Sequence, residues 1–370
     1  MDATLDTGRG RERVRAAESM TSRRQSETAT TGRGSPRERE LLRAARSGDQ
    51  HAFGTLVEPY RRELQVHCYR MLGSHADAED ALQETLVRAW RGLAGFEGRS
   101  SLRAWLYAIA TNRCSSALAR RPKRVLPIDY APAADPHDGP ADPVHEPVWL
   151  EPFPDTQLDL ETAAGPEARY DQREALELAF IAALQYLPAR QRAVLILRDV
   201  LGFSAREAAD VLETTPVSID SALQRAHKAV DDRLPIQSQQ QTLRLLGDEH
   251  LGELVERYVA AWERNDIDAV VSMLAEDARM VMPPLPSWYS GREQVASFLH
   301  DYTLRDGRSW KMVPTSANGQ PALATYEWHE QIGVFRPHSI SVLTLRGSQI
   351  EGIMAFLDPA LLELFALPAP

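Results

Sequence analysis

The sequence predicts a multidomain protein with two all-α domains, a helical bundle and a helix-turn-helix, followed by an α+β cone. Apolar residues recur at three- and four-residue steps through 39–124 and again through 171–235, which indicates amphipathic helices. Runs typical of strands follow only from about residue 279, and helices followed by strands favour an α+β domain. A chain of 370 residues is long enough for two or three domains.

The composition is that of a protein with a buried core and no membrane segment. Apolar residues make up 43% of the chain and charged residues 25%, as in ordinary globular domains. No run reaches the roughly 18 apolar residues of a membrane-spanning helix, and the N-terminus lacks the apolar core of a secretory signal. We therefore expect a cytoplasmic protein. Cys68 and Cys114 lack metal-ligand spacing and are predicted to be free thiols.

The net charge of −10 is distributed unevenly along the chain. The first 124 residues carry 23 basic and 15 acidic side chains, whereas residues 125–174 carry 2 and 12. Positive charge is therefore concentrated where phosphate contacts would be needed, and the acidic total does not exclude nucleic-acid binding. Residues 1–38 are rich in Arg, Ser, Thr and Gly without apolar periodicity, and they are predicted to be a disordered basic tail.

Residues 75–124 organise the first helical domain. The segment HADAEDALQETLVRAW places Ala78, Leu82 and Leu86 on one helical face and acidic residues on its flanks. The segment RGLAGFEGRSS interrupts the helical pattern, and LRAWLYAIATNRCSSALARRPKR then resumes a helix with a basic end. An acidic helix, a loop and a basic helix in this order indicate one surface for a protein and one for nucleic acid.

This stretch resembles region 2 of the extracytoplasmic-function (ECF) bacterial RNA polymerase sigma factors. DAED and VRAW match the helix with which these factors hold the clamp of the polymerase β′ subunit, and FEGRSSLRAWLYAIATNR matches their promoter −10 reading loop and helix. The resemblance implies that core polymerase is contacted by Asp77, Glu79, Asp80, Leu82, Gln83, Glu84 and Val87. It implies −10 DNA contacts by Arg99, Ser100, Ser101, Arg103, Asn112, Arg113, Arg120, Arg121, Lys123 and Arg124.

Reading an opened promoter requires a pocket for an unpaired base and basic groups along the backbone. Arg99, Ser100 and Ser101 supply donors on the loop, and an asparagine can form a bidentate contact with a base edge. Asn112 is therefore the best candidate for a base contact, with a plain helix-surface asparagine as the alternative. Phe96 either joins the core or borders the base pocket.

Residues 125–170 are predicted to be an acidic, proline-rich linker. Ten of the 24 prolines fall between residues 122 and 166, which opposes a packed fold. An apolar island in this linker, Trp149, Leu150 and Phe153, resembles a short motif in the ECF subgroup that carries an extra C-terminal domain. We expect the island to contact that domain or the polymerase cleft and to be regulatory. A passive spacer is the alternative.

Residues 171–235 are predicted to contain a helix-turn-helix. Ser204 and Glu207 form a capping box for its first helix, and Thr215 followed by Pro216 begins the second. The pattern resembles sigma region 4, which reads the −35 element beside the flap of the polymerase β subunit. Glu213 or Thr214 stands where this turn often has glycine.

The implied −35 contacts are Arg206, Thr215, Pro216, Ser218, Ser221, Gln224, Arg225 and Lys228. Asp220 lies on the same outward side and would repel the DNA backbone. We therefore expect most of the promoter affinity to come from the assembly with polymerase.

Residues 236–370 are predicted to form the cone. The segments AAWERNDIDAVVSMLAEDARMVMPP and YSGREQVASFL resemble the SnoaL-like, or nuclear-transport-factor-like, superfamily, whose fold has a pocket. The residues expected to line it are Met282, Trp288, Tyr289, Trp328 and Phe356. Candidate acid–base groups are Asp277, His300, Asp301, His329 and Asp358. Since they show no specific dyad, the sequence predicts a regulatory module with no catalytic residues, cofactor or metal.

The sequence therefore predicts an ECF-type sigma factor that binds core RNA polymerase and directs promoter-specific initiation, with a fused regulatory domain. Its expected partners are core polymerase, promoter DNA and, within the chain, the C-terminal domain against the sigma domains. A separate anti-sigma factor is a further candidate partner. Two other interpretations stay open: a helix-turn-helix regulator that does not depend on polymerase, and a SnoaL-like cyclase or isomerase with a helical partner domain.

Overall fold

The structure, a computed structural model, describes residues 35–145, 148–158, 166–305 and 307–367. The chain forms two compact units. The first contains residues up to 71 together with 79–119 and 187–231, and the second contains 72–78, 120–186 and the chain from 232 onward. Most of the predicted basic tail, residues 1–34, lies outside the described residues.

Helices form the first unit and the N-terminal part of the second. In chain order they are α1 (Pro36–Arg46), α2 (Gln50–Leu72), α3 (His75–Gly92), α4 (Leu102–Leu118), α5 (Pro127–Tyr130), α6 (Pro166–Glu174), α7 (Leu178–Leu184), α8 (Ala189–Leu195), α9 (Ala205–Val211) and α10 (Pro216–Asp231). A 3₁₀ turn follows α3, and the π-helical segment Ile196–Val200 extends α8. The first helix begins slightly before the predicted end of the tail, because Ser35 Oγ caps it by accepting a hydrogen bond from Glu38 N.

Helix α4 ends at Leu118, so the basic residues that were predicted on its last turns lie beyond the helix. Pro122 explains this end, because the residue before a proline is driven away from helical backbone angles. Arg120, Arg121, Lys123 and Arg124 consequently belong to an irregular segment of the second unit.

The predicted helix-turn-helix is present and consists of α9 and α10. Ser204 Oγ accepts a hydrogen bond from Glu207 N at 3.2 Å, and Glu207 Oε2 accepts one from Ser204 N at 2.8 Å, so the capping box forms. Thr215 Oγ1 accepts a hydrogen bond from Ser218 N at 3.3 Å, and Pro216 opens α10. The turn between the helices therefore ends at a defined cap.

The second unit contains the predicted α+β cone. Its elements are α11 (Gln239–Leu246), α12 (Asp248–Glu263), α13 (Ile267–Ser272), β1 (Leu274–Val281), β2 (Trp288–Ser290), α14 (Arg292–Phe298), β3 (Trp310–Ala317), β4 (Gln320–His329), β5 (Val334–Arg346), β6 (Gln349–Phe356) and α15 (Pro359–Glu363). The strands form one sheet in the order β2-β1-β6-β5-β4-β3, antiparallel except between β1 and β6.

Both faces of this sheet are covered. Strand β4 shows the alternation: Leu323 lies in the cluster that includes α12 and α14, whereas Ala322 and Ala324 lie in a second cluster. The second cluster is closed by Leu178 of α7 and by Leu361 of α15. Helix α7 precedes the helix-turn-helix in the sequence, so this part of the chain is built into the cone's unit.

The glutamine-rich joint before the cone is helix α11, and its glutamines are structural. Gln239 Nε2 donates to Leu345 O at 2.9 Å while its Oε1 accepts from Leu345 N at 2.7 Å. Gln240 Nε2 donates to Gly319 O at 2.5 Å. Both side chains are buried and satisfy backbone groups of the sheet.

Glu213 in the turn between α9 and α10 has φ of +49°, the left-handed conformation that favours glycine. We expect Glu213→Gly to raise the free energy of unfolding by about 0.5–1 kcal/mol, because the side-chain strain is removed at some cost in unfolded-state entropy. Thermal unfolding measures the change. Asp220→Gly, in the exposed interior of α10, is the matched control and should destabilise by about 1 kcal/mol. A similar loss in both variants would contradict the prediction.

Candidate nucleic-acid interface

The outer face of α3 carries the side chains predicted to contact polymerase. Asp80, Gln83 and Glu84 are exposed, and Val87 leaves 47% of its surface exposed. Leu82 is only 5% exposed and therefore contributes mainly to packing. A shallow groove of about 230 Å³ between α2 and α3 is lined by Glu58, Arg61, Arg62, Gln65, Glu79, Leu82 and Gln83. A charged rim beside exposed apolar surface suits the docking of another protein.

A second groove, of about 320 Å³, lies between the C-terminal half of α3 and α4. It is lined by Arg88, Gly92, Trp105, Ile109 and Asn112. Trp105, Ile109 and Asn112 follow one helical face of α4. Phe96 is 7% exposed and packs on Trp105 with ring centroids 4.9 Å apart, so Phe96 belongs to the core. The groove combines an aromatic wall, an amide for a base edge and a guanidinium for phosphate.

Two residues predicted to contact −10 DNA are bonded to acidic partners on neighbouring helices. Arg113 Nη2 donates to Glu84 Oε1 at 2.8 Å, which joins α4 to α3. Arg103 donates to both carboxylate oxygens of Glu63 at 3.0 to 3.1 Å. The Arg103 guanidinium also lies over the Phe203 ring at 4.8 Å. Arg103 thus packs within the helical unit, and its contact with DNA stays a prediction.

The loop before α4 divides its predicted DNA-binding residues between two roles. Ser101 Oγ accepts a hydrogen bond from Ala104 N at 3.1 Å and is the N-cap of α4. Arg99 is highly exposed beside Glu97, at 3.1 Å, and Ser100 is half-buried. Arg99 is therefore the loop cation that remains accessible to a phosphate.

A buried charge network in the second unit holds Arg124, which is 8% exposed. Arg124 Nη1 donates to Trp149 O at 2.6 Å and to Glu151 Oε1 at 3.3 Å, and Nη2 donates to Asp77 Oδ2 at 2.5 Å. Arg121 is ion-paired with the same Asp77 carboxylate. Asp77 and Arg124 were predicted to face polymerase and DNA, whereas here they bond to each other.

The other basic residues after α4 are all exposed, but they differ in their contacts. Lys123 and Arg233 both lie over the ring of Tyr186. Arg120 is exposed. Of the basic residues in this segment, Arg120 is thus the one whose placement agrees best with a DNA contact.

The linker island is packed into the second unit, in contrast to the expectation for a proline-rich segment. Trp149, Leu150 and Phe153 are 8%, 1% and 0% exposed. Glu151 Oε2 accepts hydrogen bonds from Ser74 Oγ and His75 N, both at 2.9 Å. Two hydrogen bonds join the backbone of Phe153 to Asn318 on the β3–β4 turn. Phe153 N donates to Asn318 Oδ1 at 2.7 Å, and Asn318 N donates to Phe153 O at 2.9 Å. The island therefore joins the start of α3 to the cone.

Helix α10 presents a continuous solvent-facing side. The predicted −35 residues that are exposed are Arg206, Thr215, Pro216, Ser218, Ser221, Gln224, Arg225 and Lys228. Ile219, Ala222 and Ala226 face the core. His227 lies 2.5 Å from Asp199 Oδ2, and this hydrogen bond raises the pKa of His227. The pair ties α10 to the end of α8 and leaves the outward side free.

The chain matches three family models in the order that its sequence suggests. The model for Sigma-70 region 2 matches residues 56–124, that for Sigma-70, region 4, matches 177–230, and that for the SnoaL-like domain matches 255–356. The ECF RNA polymerase sigma factor SigG of Mycobacterium tuberculosis is 42% identical over 328 residues, which cover 87% of this chain and 85% of SigG. The chain belongs to the ECF RNA polymerase sigma factors.

Two further proteins are similar to this sigma factor. The RNA polymerase sigma-H factor of Pseudomonas aeruginosa is 28% identical over 197 residues, 53% of this chain and 93% of that protein. The crystal structure of the Mycobacterium tuberculosis ECF sigma factor SigJ matches with a TM-score of 0.52 at 21% identity, covering 85% of this chain and 99% of SigJ. SigJ thus shares the fold of this sigma factor.

In this sigma factor, the five residues predicted to line a pocket of the cone lie in different surroundings. Met282 and Tyr289 lie in the core cluster beneath the sheet, whereas Phe356 belongs to the cluster on the other face. Trp288 Nε1 donates to Ala131 O at 2.8 Å, and Trp328 is 41% exposed. The alternation of strand side chains between the two faces separates these residues.

The candidate acid–base residues of the cone are also dispersed. Asp277 pairs with Arg346, a contact that lowers the pKa of this exposed carboxyl group. His300 bonds to the adjacent Asp301 at the surface, and Asp358 caps α15. No three His, Cys, Asp or Glu residues in the described part of the chain form a metal-binding group. None of the described helices is both long and apolar enough to span a membrane.

Proposed function

We propose that this sigma factor binds core RNA polymerase through the outer face of α3 and reads the −10 element in the groove between α3 and α4. The main observation behind the proposal is the open groove, which is lined by both the Asn112 amide and the Trp105 ring. The acidic face of α3 lies on the same helical pair, and the Arg113–Glu84 bond holds the two helices together. Functional regions at 39–124, 171–235 and 236–370 follow from the same proposal.

The polymerase contact is argued from the mixture of charge and apolar surface on α3. Asp80 and Gln83 are exposed about two turns and one turn before Val87, an apolar side chain that is 47% exposed. An apolar anchor within a charged rim is the usual composition of a protein interface. The clamp of the polymerase β′ subunit is the proposed partner, and an anti-sigma factor would compete for the same face.

Asp80→Arg should reduce affinity for core polymerase about tenfold or more, because a rim charge that faces a complementary partner is reversed. Glu40→Arg, an equal reversal on the exposed face of α1, should leave the affinity unchanged. Core binding measured with labelled protein and run-off transcription on one promoter test both variants. Equal binding by Asp80→Arg and wild type would remove α3 as the contact.

The −10 contact is argued from the chemistry of the second groove. Trp105 offers a face on which a flipped base can stack, and Asn112 offers both a donor and an acceptor. Arg88 and Arg99 can hold the phosphates on either side of that base. Arg103 has a positioning role, since its bonds to Glu63 fix the start of α4.

Asn112→Ala should lower open-complex formation about tenfold while core binding stays intact, because one base-edge contact is lost after the polymerase has been bound. Ser116→Ala, one turn further along the exposed side of α4, is the control. Permanganate reactivity of unpaired thymines measures opening. A loss of core binding in Asn112→Ala, or normal opening, would contradict this assignment.

The linker island and the cone are proposed to regulate these contacts in a cytoplasmic, non-enzymatic protein. Glu151 bonds to the first residues of α3 and to Arg124, so the linker holds groups that flank both proposed surfaces. Asn318 fixes the linker to the cone. The dispersed acids and histidines of the cone support regulation over catalysis.

Glu151→Gln should increase promoter-specific transcription about twofold or more, because it weakens the charge-assisted bonds that retain Arg124 and the start of α3. Glu276→Gln, on the exposed side of β1, is the matched control. Multi-round transcription at equal folded concentration, checked by circular dichroism, gives the comparison. Unchanged or reduced activity in Glu151→Gln would argue against an inhibitory linker.

A further inference from the structure

The outward side of α10 has a central ridge that begins with an apolar residue. Val217, Ser221, Gln224 and Lys228 follow one another at steps of four, three and four residues, which places them on one line of the helix. This line lies opposite the buried positions Ile219, Ala222 and Ala226. Val217 is 75% exposed. Sequence reasoning selected the polar members of this side and passed over Val217.

An exposed valine at this position contributes little to the stability of the fold. A β-branched side chain loses rotamer freedom in a helix and is a poorer helix former than alanine. With three quarters of its surface in solvent, Val217 gains little from packing. Its exposure leaves the Val217 side chain accessible to a partner.

The neighbours of Val217 on the ridge favour DNA as its partner. Ser221 and Gln224 carry groups that bond to base edges, and Lys228 at the far end suits a phosphate. When the first turns of a recognition helix enter the major groove, a side chain at the second helical position reaches the base edges. An apolar group there meets the C5-methyl group of thymine, the distinctive apolar feature of the groove.

We propose that Val217 is a specificity-determining residue that reads one thymine methyl group in the −35 element. The inference rests on the proposed function of α10 as the −35 reader. It adds a preference for thymine at one position of that element. Pro216 and Ser218, on either side of Val217, do not supply an equivalent apolar group on the ridge. The preference is therefore assigned to one side chain.

The test removes only the methyl group. Thymidines of the −35 element are replaced one at a time by 2′-deoxyuridine in a promoter fragment, and binding by holoenzyme containing the full chain is measured. We expect one replacement to weaken binding by wild type about three- to fivefold, the effect of one buried methyl group. Val217→Ala should bind the unmodified promoter three- to fivefold more weakly than wild type does. Replacing the same thymidine by 2′-deoxyuridine should then not weaken binding by Val217→Ala any further.

Controls separate this inference from the proposed function beneath it. Scrambling the whole −35 element should reduce holoenzyme binding to the level of DNA without a promoter. If scrambling has no effect, α10 is not the −35 reader. If scrambling matters but no single methyl group does, or if the methyl effect persists in Val217→Ala, the assignment of Val217 is overturned. Weaker binding of Val217→Ala to core polymerase without DNA would also overturn it, since the valine would then contact protein. Ser218→Ala, the neighbouring exposed position, should retain the methyl effect.

Discussion

The buried guanidinium of Arg124 is the constraint on which the organisation of the second unit depends. A cation that is only 8% exposed must be matched by anions and carbonyl groups, because removing one partner of a buried pair costs several kcal/mol. Its three partners come from two places in the sequence: Asp77 at the start of α3, and Trp149 and Glu151 in the linker. The linker therefore cannot leave this arrangement without exposing or unpairing charge, which makes it a structural member of the unit.

This dependence also explains why a proline-rich segment is ordered where it carries the apolar island. Leu150 and Phe153 bury their side chains almost completely, and Phe153 pairs its backbone with Asn318 of the cone. Prolines restrict the unfolded chain, so less entropy is lost when such a segment docks. Composition does not report docking, which depends on a few apolar residues and one buried cation.

The local features of the fold followed from the sequence, and the long-range pairings did not. Helix starts are indicated in the sequence by Ser204, Glu207 and Thr215, because capping uses residues only three positions apart. The role of Gln239 depends on its contact with the distant Leu345, for which periodicity carries no signal. Asp77 and Arg103 were assigned to partners outside the chain because their internal partners, Arg124 and Glu63, lie more than 35 residues away.

The first unit contains α4 and α10, the helices proposed to read the −10 and −35 elements. Their distance from each other limits how one molecule can bind both elements. Phe203, just before α9, packs on Tyr107 of α4 at 5.3 Å, while the buried Arg192 of α8 donates to Met71 O. Helix α10 is about 24 Å long and packs on α9, so its face lies within a few tens of ångströms of α4. Elements centred near −10 and −35 are about 85 Å apart on B-form DNA.

The two regions must therefore separate before one molecule can occupy both elements. The contacts to be broken include an aromatic pair and a cation–π contact, which contribute about 0.5–1.5 kcal/mol each, and the buried bond from Arg192 to Met71 O. Burial lowers the pKa of Arg192 to about 10. On the proposed function, the packing of α4 against α8 and α9 therefore belongs to the sigma factor before it occupies both elements.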